Sequence, residues 1–343
     1  MTPTASPVLS VVVPAYNAEA YLARALDSLV GFGPQVEVVV VDDGSTDGTA
    51  ALARTYVDRY PGEVRLLRKP NGGHGSAINA GLDHARGAYL KVVDADDWLD
   101  RDALVEVLAT LRGFLDRERP VDLLVSNFVY EKQGKKTKTA VRYRGALPAD
   151  RVMGWSATRG FGKRQYLLMH ALIYRTEVLR AAGLRLPEHT FYVDSLYALV
   201  PLAHVETLSY LDVDLYRYFI GRADQSVQEA VMLRRIDQQL RVNRLMLDHV
   251  SRVRVTDRRL RAYRLHYVQL ICVVSSILLI RSGTRASLAE RDRLWSELRQ
   301  QDFWLYRKVR WTVLGQLANL PTPAGRRVSV LAYRVAQRAI GFS

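Results

Sequence analysis

From residue 9 onward the chain alternates between two hydrophobic rhythms. "LSVVVPAY" is a β-branched run ended by a proline, the mark of a buried parallel strand. Over residues 18–30, Tyr21, Leu22, Ala25, Leu26 and Leu29 then recur at helical spacing. The alternation repeats. "VEVVVV" at 36–41 is a strand, and "DGSTDGTAALARTYVDRY" turns into a helix. "EVRLLRK" is a third strand, followed by a glycine-rich loop and a helix over 75–86, and "AYLKVVD" is a fourth strand. Such alternation predicts right-handed βαβ units and an α/β fold with a parallel sheet. Beyond residue 120 the pattern loosens: "DLLVSNFVYEK" reads as a strand and "KQGKKTK" as a basic hairpin or exposed turn. From 228 the chain reads as almost wholly helical, with breaks at "RSGTRAS" and "NLPTPAG".

The polar residues fall at one edge of this pattern. The four strands run into "PAYN", "DDGSTD", "KPNGGHGS" and "DADDWLD". In parallel sheets ligands bind at the carboxyl ends of strands, so these four turns are expected to form one site. Asp94 and Asp96, spaced D-x-D after the fourth strand, present two carboxylates to one divalent cation. Oxygen ligands suit Mg²⁺ or Mn²⁺ and leave positions for phosphate oxygens. No Cys/His cluster favours zinc. Asp97 and Asp100 add two further carboxylates to the same stretch, a crowding that is unfavourable without a compensating cation.

Charge divides the chain differently. Net charge is −6 over residues 1–129 and +15 over 230–343, within a total of +14. Basic tails commonly meet nucleic acid, anionic lipid or phosphorylated substrates. The single cysteine, Cys272, excludes an intrachain disulfide and reads as a buried thiol. "MTPTASPVLS" has neither a basic n-region nor a cleavable apolar stretch, so no signal peptide is expected and a cytoplasmic location is.

"VVVPAYNAEAYLARALDSL", "VEVVVVDDGSTDGT", "NGGHGSAINAGLDHARGAYLKVVDADDW" and "FYVDSLY" together resemble the inverting, GT-A-fold glycosyltransferases of family two, over about residues 8–225. The resemblance implies a GT-A domain over residues 1–228, Rossmann-like with a mostly parallel sheet. Residues 8–100 would bind nucleotide and 101–228 acceptor, with a helical basic region at 229–343. It implies a UDP-linked nucleotide-diphosphate sugar as donor. The acceptor would be a glycan, a polyol-phosphate polymer such as a teichoic acid, or a lipid-linked saccharide. Pro14, Tyr16 and Asn17 would frame the nucleotide, and Asp42 or Asp43 would read the base; capping the next helix is the competing role of that pair. Asn71 and Gly73 would line the diphosphate. Asp94 would lie near ribose and metal, and Asp96 would ligate the metal directly. Asp194 would be the base that takes the acceptor proton, with a helix-starting role as its alternative.

Two positions depart from the family. Ile78 stands where many members carry arginine, which leaves His74, Lys91 or Arg222 to supply positive charge to the phosphates. Val193 precedes Asp194 where a glutamate is usual. Gln225 and Ser226 are candidates for sugar or phosphate, and His170 for the acceptor.

Residues 264–281 are apolar for 16 positions between arginines, which predicts a buried helix because a membrane span needs about 20. In the last 18 residues, Val328, Leu331, Ala332, Val335, Ala339 and Phe342 share one helical face beside Arg327, Arg334 and Arg338. That face fits either peripheral contact with an anionic membrane or packing on the domain. A nucleotidyltransferase is the competing enzyme, and a polyanion- or nucleic-acid-binding module the non-enzymatic alternative. Against the module, and against nucleic acid as a partner, stands the acidic character of the recognisable pocket. "GGHGSAINAG" is misplaced for a dinucleotide fold, and no G-K-[ST] exists for a P-loop.

Overall fold

The computed structural model describes residues 6–134, 138–162, 165–221 and 228–340, the last eight of these by backbone alone. The chain forms two compact units. One comprises Met1–Gly160 and Leu167–Arg222, the other Phe161–Tyr166 and Ala223–Ser343.

The first unit begins as the alternation predicts. Strands β1 (Leu9–Ala15), β2 (Val36–Asp42), β3 (Val64–Arg68) and β4 (Tyr89–Val92) alternate with helices α1 (Glu19–Asp27), α2 (Thr49–Arg59) and α3 (His74–His84). The four strands pair in parallel in the order β3-β2-β1-β4. Both faces are covered: Val11, Val12, Val13, Val38, Val39, Val40 and Val41 are all 0% exposed. The β1–β4 ladder stops at Val12–Val92. The next β1 position facing that side is the buried Pro14, which has no N–H to offer, so the chain after Val93 is released into the acidic turn.

The remaining strands make the sheet mixed. They are β5 (Trp98–Leu99), β6 (Leu123–Lys132), β7 (Thr139–Val141), β8 (Val152–Met153), β9 (Leu172–Arg175) and β10 (Leu208–Ile220). Among the described residues the sheet has ten strands; β9 runs antiparallel between β4 and β6, and β10 runs parallel to β6. A mostly parallel sheet thus holds for the first half only. The chain reaches β9 without a helical crossover after β6, so the rule that makes βαβ units parallel does not act there. Helix α4 (Arg101–Asp116) separates β5 from β6, while α5 (Thr176–Ala181) and α6 (Asp194–Leu199) follow β9. The hairpin expected at "KQGKKTK" joins β6 to β7, which pair antiparallel; residues 135–137 lie outside the described residues.

The second unit is helical: α7 (Glu229–Arg234), α8 (Ile236–Arg252), α9 (Arg258–Ser282), α10 (Arg285–Gln301), α11 (Phe303–Arg310), α12 (Val313–Leu317) and α13 (Pro323–Ile340). The breaks have local causes. Gly283 takes a left-handed φ of 72° to end α9, and the side chains of Thr284, Asp302 and Thr312 cap the next three helices. Helix α9 is long and apolar enough to span a membrane, but 61% of its apolar window is buried. It encloses Cys272, whose thiol burial pushes up to about 12, and Asn243 of α8 donates to Ser275 at 3.1 Å. Phe161 and Tyr166 join this unit by packing on Tyr263 and Tyr267, ring centroids 4.4 and 5.7 Å apart, a placement no periodicity foretold. On α13, Ser329 is buried and Val330 packs against the cluster of Val273, Ile277, Ile280 and Ala318. Val328 and Leu331, from the face read as apolar, stay exposed. The side chains of Val335, Ala339 and Phe342 lie outside the described residues.

Candidate active site

Each parallel strand delivers its polar turn to the same edge. After β1, Tyr16 is 53% exposed, and Asn17 adopts a left-handed φ of 49°. The Asn17 side chain accepts from Thr46 N at 2.9 Å, and its N–H donates to Ser45 Oγ at 3.0 Å. Asn17 thus ties the β1 turn to the β2 turn and leaves Tyr16 as the open aromatic surface.

Asp42 and Asp43 end β2 almost wholly buried. Asp42 accepts from Ser45 N and from Arg68 Nε, both at 3.0 Å. Asp43 takes Lys69 Nζ at 2.7 Å and the N–H groups of Gly72 and Gly73 at 3.0 and 2.7 Å. Neither caps α2, whose first-turn Thr49 N–H is held by Asp47 instead. Asp43 therefore shapes the glycine loop, while Asp42 holds the turn after β2 and Arg68. Asn71 completes that loop by donating to the Asp43 carbonyl at 3.0 Å. Gly73 sits at φ 84°, and a Cβ there would lie 3.1 Å from His189 N, so glycine is required on two counts.

The glycine loop is fastened to the segment carrying Asp194. The His189 N–H donates to the Gly72 carbonyl at 2.6 Å, and Ser76 Oγ donates to Glu188 at 2.8 Å. Asn79 bonds both the carbonyl and the N–H of Leu186 at 2.9 Å. At and just beyond these anchors, His189 and Tyr192 adopt φ of 47° and 67°, a strained path for non-glycine residues. The segment ends with Asp194 in the first turn of α6, with no side-chain capping bond there. Ile78, at the position of the family's arginine, is 1% exposed and belongs to the core.

The acidic turn divides its four carboxylates. Asp100 caps α4 through Ala103 N and pairs with Arg217 at 2.7 Å, so it is accounted for structurally. Asp97 is 0% exposed; Tyr216 Oη donates to it at 2.6 Å and Phe219 N at 2.7 Å. Burial, then the charges of Asp96 and Asp94, push the Asp97 carboxyl well above its ordinary range. Asp94 faces His74 Nε2 at 2.8 Å. Burial would raise its pKa, but His74, then His170 and Lys91, hold it low. Burial acts against the His74 imidazolium, yet Asp94 first and then Asp194 and Asp96 outweigh it and raise that pKa. Asp194 moves up through burial, opposed by His74 and helped by Asp94. His74, Asp94 and Asp194 thus form one electrostatic group, although they are far apart in sequence.

His170 was the member least visible in the sequence. It is buried, stacked on Tyr218 with centroids 4.2 Å apart, and packed edge-on to Tyr216 at 4.6 Å. Its Nε2 lies 4.0 Å from Asp94 and 3.9 Å from Asp97, and neither ring nitrogen has a hydrogen-bond partner. Burial first, with Lys91 and His74 adding to it, pulls its pKa down to about 4, so the ring is neutral. The alternation of Tyr216 and Tyr218 in β10 was the available signal for this wall.

The resemblance implies a divalent cation, and these groups offer it ligands. Asp94, Asp97 and His170 each place a ligand atom within 4.8 Å of the others, and the orphaned imidazole is a donor without a task. The set fits a hard divalent ion that tolerates nitrogen. It differs from the expected Asp94–Asp96 pair. Asp96 is half-buried, its carbonyl accepts from Arg24 at 3.1 Å, and its carboxylate contributes charge from the side. Lys91 is not a phosphate ligand here: it is 0% exposed, donates to the His170 carbonyl at 2.7 Å, and burial lowers its pKa to about 7. Arg222, Gln225 and Ser226 lie outside the described residues.

A Rossmann-like half-sheet with an anion loop and an acidic turn at its carboxyl edge defines the GT-A class of glycosyltransferases. Residues 10–171 match the family model described as Glycosyl transferase family 2, and the chain carries a domain of that family. Over 219 residues it is 28% identical to the uncharacterized glycosyltransferase EpsJ of Bacillus subtilis, an alignment spanning 62% of this chain and 61% of EpsJ. It is also 28% identical to the poly(ribitol-phosphate) beta-N-acetylglucosaminyltransferase TarS of Staphylococcus aureus, over 64% of this chain and 37% of TarS. The crystal structure of TarS 1–349 in complex with UDP-GlcNAc superposes with a TM-score of 0.70 at 19% identity, covering 96% of this chain and 92% of that one. The mannosyltransferase PcManGT of Pyrobaculum calidifontis, in complex with GDP-Man and Mn²⁺, gives 0.55 at 18% identity, over 96% and 88%. At such identities the two structures carry the fold.

Proposed function

We propose that this chain is an inverting glycosyltransferase that moves a sugar from a UDP-linked nucleotide-diphosphate sugar to a hydroxyl of a cell-envelope glycan, a polyol-phosphate polymer or a lipid-linked saccharide. The observation that carries this reading is the convergence of Asp94, His74 and Asp194 beside a glycine loop at one sheet edge. The uracil base lies against Tyr16, read by the Asp42–Asp43 pair, and the diphosphate follows Asn71, Gly73 and the N-terminus of α3. Pro14 and Asn17 hold the walls of that pocket. The acceptor oxygen attacks the anomeric carbon from the face opposite the diphosphate. Its proton passes to the Asp194 carboxylate as the bond from that carbon to the phosphate oxygen breaks, releasing a nucleoside diphosphate. Asp94 with His170 and Asp97 or Asp96 would hold Mn²⁺ or Mg²⁺, which would supply positive charge to the leaving diphosphate when bound. Catalysis takes place in the cytoplasm, where nucleotide-sugars are made. The relation to TarS favours a polyol-phosphate acceptor.

The test is a panel of UDP-, GDP- and dTDP-sugars, with Mn²⁺ or with chelator, read by thermal shift and by product analysis. The matching donor stabilises the fold by about 2.7 kcal/mol at 100 times its Kd. Release of a nucleoside diphosphate in the presence of metal supports the reading. Pyrophosphate release from a nucleoside triphosphate would assign the site to nucleotidyl transfer instead.

A further inference from the structure

The helical unit closes with a run of one-sided charge: residues 303–343 hold seven Lys and Arg and no Asp or Glu. Helix α11 opens that run. It turns Leu305 and Val309 inward, where both are buried. On its other side Trp304, Arg307, Lys308 and Trp311 follow at i, i+3, i+4 and i+7, and all four are exposed. Trp304 and Trp311 are 68% and 66% exposed, and Val313, just beyond, is 72% exposed. Guanidinium groups lie over both indoles, Arg307 at 5.7 Å from Trp304 and Arg310 at 5.8 Å from Trp311.

Two indoles on one outward helix face, with an apolar neighbour, are not what a water-facing surface ordinarily carries. Their company decides the occupant. Indoles flanked by cations, with no carboxylate in the run, match the chemistry of the water–lipid boundary over anionic headgroups. A soluble polyanion would use the cations but leave the indoles and Val313 in water. The indoles also stand along a single helix instead of facing each other across a cleft, as a sugar ring held between them would need.

We propose that α11 is a membrane-docking face. Trp304 and Trp311 enter the headgroup–acyl boundary of an anionic bilayer while Arg307 and Lys308 meet its phosphates. Val328 and Leu331 of α13, also exposed, belong to the same acid-free run. The proposal rests on the helical unit alone, so it fails or stands independently of the donor chemistry.

The full-length protein is mixed with phosphatidylcholine vesicles, with vesicles containing about 30% phosphatidylglycerol, and with soluble dextran sulfate, at about 50 and 500 mM salt. Co-sedimentation and indole emission are read for the wild type, for Trp304→Ser/Trp311→Ser and for Arg307→Gln/Lys308→Gln. The wild type binds only the anionic vesicles, more weakly at high salt, with a blue shift from two of its five tryptophans. The tryptophan pair variant binds about a hundred-fold more weakly, about ten-fold per indole, without that shift. The Arg/Lys variant loses the preference for phosphatidylglycerol. Unfolding midpoints stay at the wild-type value, because neither indole is in the core. Absence of wild-type vesicle binding overturns the proposal, as does equal binding by the tryptophan variant. Tryptophan-dependent binding to dextran sulfate without vesicle binding also overturns it and gives the face to a soluble polymer.

Discussion

Asp194 combines two properties that a proton acceptor needs: a carboxyl raised by burial and a neighbour, His74, whose own pKa is raised and which opposes that shift. Asp194→Asn is expected to keep donor affinity and reduce turnover by roughly 100- to 10,000-fold, the range for losing a general base. The base works only when ionised, so turnover should rise with pH through its pKa. Because that pKa is raised, the acid limb of the wild-type profile should lie above the ordinary carboxylate range, and it should vanish in the variant. Among the four carboxylates of the acidic turn, the proposed metal role falls to Asp94, while Asp100 is held by protein partners. Asp94→Asn should abolish Mn²⁺-dependent UDP binding in titration calorimetry. Asp100→Ala should leave that binding intact and cost about 1 kcal/mol of stability, since its carboxylate caps α4 and pairs with Arg217.

At the level of elements, helix α3 joins two loops that the sequence presents as separate motifs. Its first residue, His74, faces Asp94, and its Asn79 pins the segment leading to Asp194 through both polar atoms of Leu186. Asn79→Ala should destabilise the fold by about 1–3 kcal/mol, measured by urea unfolding, because a partly buried donor and acceptor lose their partner. It should also lower turnover more than donor affinity, because the released segment carries Asp194, the proposed base. The strands and helices of residues 9–92 were legible in the chain, since each is written in local periodicity and closed by a turn residue; the short β5 was not. The partners of Asn79, 107 positions away, were not. Asp43 shows the same limit: residue type marked it as a ligand or cap, while its use as an anchor for the glycine loop depends on where Lys69, Gly72 and Gly73 return.

Across the whole chain, the basic third is a folded helical unit and not a loose tail. Removing α13 by ending the chain at residue 322 should lower the unfolding midpoint, because Val330 packs on Val273, Ile277, Ile280 and Ala318 and Ser329 bonds the Leu317 carbonyl. Scanning calorimetry of the shortened chain would check this; an unchanged midpoint would mean that α13 adds nothing to that core. Helix α13 thus packs through Ser329 and Val330, beside the expected face on which Val328 and Leu331 stay exposed; among the described residues, α11 carries the exposed tryptophans.

The sequence alone determined the strand–helix alternation, the polar turn after each strand and the charge asymmetry, because each depends on residues close together in the chain. Tertiary structure decided the rest. It set β9 antiparallel, brought His170, Tyr216 and Tyr218 against Asp94 and Asp97, and committed Asp43 and Asp100 to protein partners. A buried carboxylate takes its role from the donors that surround it, and those donors arrive from strands and loops whose approach no local pattern encodes.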